Sequence, residues 1–98
     1  MAKLEAPEMR VALRGVPLWR CRRQELHRTY VLPDFEGAIR LVNRVAKLAE
    51  RANHHPDILV KWNRVTLTLT THDAGGLTAK DFDLAQACDR AAERLGAS

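Results

Sequence analysis

The residues of this chain best suited to chemistry near neutral pH are its four histidines, His27, His54, His55 and His72. An imidazole can donate a proton from one ring nitrogen and accept one at the other, so a group of them suits the removal of a hydroxyl as water. Three of the four flank elements that can meet in space. His54 and His55, followed by Pro56, leave one apolar-periodic segment, and His72 leaves an alternating segment further on. Glu50 lies four residues before His54, which puts both on one helix face if the helix persists that far. A carboxylate there would stabilise an imidazolium and fix its tautomer.

Other chemistries have little support. No glycine-rich phosphate loop, GxSxG or HExxH motif is present. Adjacent histidines are awkward ligands for one tetrahedral ion, and no ligand-like spacing supplies the rest, so no metal is expected. Cys21 and Cys88 form no CxxC pair and no disulfide framework. Cys88 falls on the apolar face of a helical segment, where a thiol behaves as a small hydrophobe.

The elements that must position the histidines can be read from periodicity. Asp34, after Pro33, is a good N-cap. Phe35, Ala38, Ile39, Val42, Val45, Ala46 and Ala49 recur at helical spacing, flanked by Leu41 and Leu48, which predicts an amphipathic helix over 35–52. Pro56 disfavours helix at the residue before it. Ile58, Val60 and Trp62 then alternate with polar residues, as do Val65, Leu67 and Leu69, predicting a hairpin with one apolar face. A two-residue turn at Asn63-Arg64 would pair Trp62 with Val65 and bring His55 opposite His72. Gly75-Gly76 ends that strand. Thr78, with Asp81 three residues on, predicts a capping box for a last helix with Phe82, Leu84, Ala85, Cys88, Ala91, Ala92 and Leu95 on its buried stripe. Weaker signals give a short helix over Pro7–Leu13 and two short strands, Trp19–Arg22 and Leu26–Val31, about a turn at Arg23-Gln24. The order α-β-β-α-β-β-α fits an α+β two-layer sandwich, with a four-stranded antiparallel sheet carrying its helices on one face.

The chain of 98 residues has room for one domain, over 1–98, with a single modest core. Hydrophobic residues are 46% and charged residues 29%, a balance that argues against disorder. No apolar run reaches the ~20 residues of a membrane span and no signal-peptide segment is visible, so the expected compartment is the cytoplasm. The net charge of +4 hints at nucleic acid. Its placement weakens the hint. Residues 1–33 hold seven basic and three acidic side chains, and residues 34–98 hold nine of each. A basic segment of this size reads first as a solvated face, and neither a nucleic-acid nor a membrane partner is expected.

Several segments resemble one known family. The runs His54-His55-Pro56-Asp57, Trp62-Asn63-Arg64-Val65 and Thr71-His72-Asp73-Ala74-Gly75-Gly76-Leu77-Thr78, with Asp81 after them, look like pterin-4a-carbinolamine dehydratase. Leu26-x-Arg28-Thr29-Tyr30, Asp34-Phe35-x-x-Ala38 and Val45-Ala46-x-x-Ala49-Glu50 extend the resemblance over roughly 17–93. It implies dehydration of 4a-hydroxytetrahydropterin to quinonoid dihydropterin, downstream of aromatic amino acid hydroxylases, with no cofactor. It maps the family's three active-site histidines onto His54, His55 and His72, which implies proton transfer by His54 and His72 and a positioning or assisting role for His55, and it maps the helix-end glutamate onto Glu50, which would orient His54. Pterin contacts map onto Pro56, Thr71, Asp73 and Ala74 beside the histidines, onto Asp81, and onto Trp19. Many members carry an acidic residue where this chain has Asn53.

The resemblance also implies homodimers or homotetramers, and the edges of a small open sheet need covering on general grounds. The alternative to catalysis on the same fold is a binding role, as a dimerisation cofactor or assembly factor. Retention of all three histidines and Glu50 favours catalysis.

Overall fold

Asp34 opens the longest helix, its side chain accepting from the Gly37 amide at 2.7 Å. The computed structural model describes residues 2–98. It places α1 at Ala6–Leu13, β1 at Arg20–Arg22, β2 at Glu25–Val31, α2 at Phe35–Ala52, β3 at Asp57–Lys61, β4 at Arg64–Leu69 and α3 at Ala79–Arg94, with a one-turn 3-10 helix at His72–Ala74. The four strands form one antiparallel sheet in the order β1-β2-β4-β3. This is the expected α+β architecture.

Alternation explains the layering. Leu26 and Tyr30 of β2 and Val65, Leu67 and Leu69 of β4 are fully buried beneath the helices. Residues of the opposite parity point to the other face, where Thr29 bonds Thr66 at 2.8 Å and His27 bonds Thr68 at 3.1 Å. The helices close the core with Ala38, Leu41, Val45 and Ala49 from α2 and Phe82, Leu84, Ala85, Cys88, Ala91 and Ala92 from α3. Each large apolar side chain so buried contributes about 1.5–3 kcal/mol.

Two expectations are corrected. The α2 stripe is rotated from the predicted one: Phe35 stays 50% exposed and Ile39 37% exposed, because Leu41 and Val45 take the inner face. The hairpin turn is at Trp62-Asn63, not Asn63-Arg64. Val60 pairs with Val65 and Lys61 with Arg64, and pairing ends at Asp57 with Thr68, so His55 does not lie opposite His72 in a ladder. The observed register differs from the expected one by two residues, which leaves every side chain on the same face and so cannot be read from alternation. Asn63 is pinned instead by Leu32, whose carbonyl accepts from Nδ2 at 3.0 Å and whose amide donates to the Asn63 carbonyl at 2.8 Å. Trp62 takes the tip at φ 50, largely exposed.

Candidate active site

The end of α2 decides where the paired histidines go. Asn53 adopts the left-handed conformation at φ 48. Its amide donates to the Glu50 carbonyl at 3.2 Å, and the His54 amide donates to the Ala49 carbonyl at 3.0 Å. This is a Schellman closure, and asparagine is the residue after glycine best able to adopt its reversed geometry. The reversal carries His54 off the Glu50 face and under the protein. Pro56 follows and leads into β3.

His54 then meets α3. Its Nε2 lies 2.5 Å from Asp81 Oδ1, with the imidazole 10% and the carboxylate 0% exposed. Asp81 Oδ2 accepts from the Thr71 hydroxyl at 2.8 Å and from the Thr78 amide at 2.9 Å. Thr71 and Thr78 hydroxyls bond each other at 2.9 Å. The capping box predicted for α3 is present, and its acid does two jobs: it closes the helix N-terminus and holds an imidazole. A carboxylate accepts and cannot donate, so the His54 proton sits on Nε2 and the neutral ring keeps its lone pair on Nδ1. Every buried side-chain polar atom among the described residues has a partner, so this network is closed.

Glu50 holds the other histidine. Its Oε2 lies 2.5 Å from His55 Nε2, with side chains 75% and 59% exposed. The expectation that Glu50 orients His54 is therefore corrected. The i,i+4 relation requires helix through residue 54, and the helix stops at Ala52.

His72 begins the 3-10 turn directly after Thr71, with its side chain exposed. Thr71 and Gly76 exchange backbone bonds at 3.2 and 3.3 Å, closing the loop through Asp73, Ala74 and Gly75, and Gly75 supplies the φ of 73 the closure needs. Thr71 thus joins the His72 loop to the Asp81–His54 pair. Pro56 and Ala74 are half-buried and Asp73 is exposed.

Trp19 is placed elsewhere. It is buried at 4%, and its indole donates to Asp89 Oδ1 at 2.9 Å. Asp89 lies eight residues along α3 from Asp81, about 12 Å of helix. The same oxygen accepts from Arg28 at 2.7 Å and from the Tyr30 hydroxyl at 2.5 Å. Burial, then the Asp89 carboxylate, push the Tyr30 hydroxyl far up from its ordinary value. This cluster ties β2 to α3, and Trp19 packs edge-on against Tyr30, their centroids 6.3 Å apart.

Sequence reasoning missed two contributors: Thr78 as a member of the buried network, and Asn53 as the residue that turns His54 inward. The Ser/Thr-x-x-acid spacing and the left-handed preference of asparagine were the available signals.

Two imidazoles held by carboxylates, one pair buried and one exposed, beside a closed Thr-His loop, define the class of α+β scaffold to which this chain belongs. Comparison with known proteins gives that class a family. The model described as pterin 4 alpha carbinolamine dehydratase matches residues 2–91, and the chain belongs to that family. It is 51% identical over 87 residues to a protein of Roseiflexus sp. provisionally named pterin-4-alpha-carbinolamine dehydratase, covering 89% of this chain and 94% of that one. A Chloroflexus aurantiacus protein of the same provisional name is 52% identical over 89 residues, covering 91% and 96%. Among solved structures, a transcriptional coactivator/pterin dehydratase from Brucella melitensis superposes with a TM-score of 0.88 at 33% identity, covering 92% of this chain and 98% of that one. A pterin dehydratase-like protein identified as a RuBisCO assembly factor in the alpha-carboxysome shares the fold, with a TM-score of 0.65 at 19% identity over 76% and 86%.

Proposed function

We propose that this chain dehydrates a 4a-hydroxytetrahydropterin to the quinonoid dihydropterin by histidine acid–base catalysis, so that tetrahydropterin is recycled. The reaction breaks the C4a–O bond. One proton is delivered to the departing oxygen, one is withdrawn from a ring nitrogen, and water is the only other product, so no oxidant or cofactor is needed. His54 and His72 carry the two proton transfers. His55, held by Glu50, positions the substrate. Pro56, Thr71, Asp73 and Ala74 frame the pterin, and Asp81 acts through His54 as its positioning residue. Trp19, buried against Asp89, is assigned to the core and not to the pterin.

The observation that carries this reading is the buried Asp81–His54 pair at 2.5 Å, because it fixes the orientation of the imidazole and, in the neutral ring, leaves the lone pair on Nδ1. Such preorganisation is what a proton-transfer step requires. The family membership supports the substrate class.

The substrate is a product of pterin-dependent aromatic hydroxylation, so the functional partner is a hydroxylase of that class. A homodimer or homotetramer completes the particle. The flank of α2 turned away from α3 exposes Phe35 and Ile39, and β3 offers an open sheet edge with Ile58 and Leu59 exposed. Light scattering is expected to give a mass above the 11.1 kDa of one chain, and a monomer would contradict the assembly.

Stopped-flow assay with synthetic 4a-hydroxytetrahydropterin tests the function. Wild-type protein should accelerate water loss, and His54→Ala and His72→Ala should remove most of the acceleration. Unchanged rates in both variants would reject histidine catalysis. No acceleration by the wild type would leave a binding role on this fold.

A further inference from the structure

The two thirds of the chain from residue 34 onward carry equal numbers of basic and acidic side chains, yet folding separates them. Arg44, Lys47 and Arg51 of α2 face Arg90 and Arg94 of α3 across a groove of about 300 Å3 that no carboxylate lines. None of these five cations is in an ion pair among the described residues. Like charges gathered this way repel one another unless an anion lies between them.

The groove continues along the helix seam. A neighbouring depression of about 390 Å3 shares Leu48, Arg51 and Ala87 and reaches Lys80 and Asp83 at the start of α3. From Lys80 to Arg94 the seam is about 21 Å long, about four turns of helix. Its lining is apolar between the charges, with three alanines, Ala52, Ala87 and Ala91, beside Leu48 and Leu84. One end is wholly cationic, while at the other Asp83 balances Lys80.

We propose that the α2–α3 seam is a docking groove for an acidic amphipathic helix of a partner protein. Small floor residues let a third helix approach closely, and its apolar stripe covers the floor. Carboxylates at i,i+4 are spaced about 5–6 Å apart on such a helix, the same interval as Arg90 to Arg94. A nucleic acid would present phosphates to the rim but leave the apolar floor uncovered, and no aromatic ring lines the groove for bases to stack on. The site is separate from the histidines and does not depend on the catalytic reading.

The test uses fluorescence anisotropy with two labelled synthetic helical peptides about four turns long. They share a Leu/Ala stripe and differ in carrying Glu or Lys beside it. The Glu peptide should bind the full chain, with affinity falling as salt is added. Arg90→Glu/Arg94→Glu should weaken it by about tenfold or more, with Arg90→Gln/Arg94→Gln in between, while pterin dehydration is unchanged. Failure of the Glu peptide to bind, equal binding of the Lys peptide, or indifference to both double variants would overturn the proposal. So would tighter binding of a blunt RNA duplex, which would assign the groove to nucleic acid.

Discussion

His54–Asp81 and His55–Glu50 have the same length, 2.5 Å, and opposite surroundings. The first is nearly sealed and its carboxylate accepts two further bonds. The second lies in solvent at the C-terminal end of α2, with Glu50 on its last turn and His55 beyond it. Water screens the second pair and lets both side chains move, so its geometry is weakly enforced. Burial enforces the first, since neither member can leave without abandoning the other in a dry site. Equal distances therefore carry unequal consequences, and only the buried pair can fix an imidazole for chemistry.

Substitutions should separate the two pairs, and the largest effect belongs to the buried one. Asp81→Ala removes the His54 partner, the Thr71 acceptor and the α3 cap together, and is expected to cost about 3 kcal/mol or more by urea unfolding at neutral pH. A loss as small as that of an exposed carboxylate would break the comparison.

The core behind the buried pair predicts a next, smaller effect. Burial, and then the neighbouring Asp89 charge, raise the Cys88 thiol from 9.0 to about 12, and Tyr30 is raised as well. A folded-state value above the unfolded one means stability is complete below pH 9 and falls as pH climbs from there toward the folded value. The expected slope is about 1.4 kcal/mol per pH unit from Cys88 alone. Cys88→Ala should flatten the profile between pH 9 and 10. An unchanged slope would refute the assignment.

Asn53→Ala comes next, at about 1 kcal/mol, because alanine resists the φ of 48 that turns His54 inward. Asn53→Gly should cost almost nothing. Equal losses would mean that the side chain of Asn53, not its backbone, is what matters. Smallest is Glu50→Gln, expected within about 0.5 kcal/mol of wild type in the same unfolding assay.

The same contrast explains what was legible in the sequence. Periodicity gave α2, α3 and the hairpin, and the turn at Arg23-Gln24 lies where its polar residues put it, both at positive φ. The histidines were legible because HHP and THDAGG segments are rare and sit at element ends. Their partners were not. Spacing suggested Glu50 for His54, but a single left-handed residue, Asn53, reassigns both histidines, and Asp81 reaches His54 across 27 positions. The α2 stripe was read too wide because one face is apolar through Phe35, Ile39 and Val42 without being buried under α3. The cationic seam was invisible because its charges come from two helices far apart in a stretch, residues 34–98, whose charges balance.

In the proposed reaction the buried carboxylate, not the exposed one, positions the imidazole that moves the proton. Turnover of 4a-hydroxytetrahydropterin by Asp81→Asn and Glu50→Gln, measured side by side on proteins shown to be folded by circular dichroism, tests it most directly. Asp81→Asn should lose about a hundredfold or more in kcat while Glu50→Gln stays within a few fold of wild type. Equal losses, or a greater loss in Glu50→Gln, would contradict it.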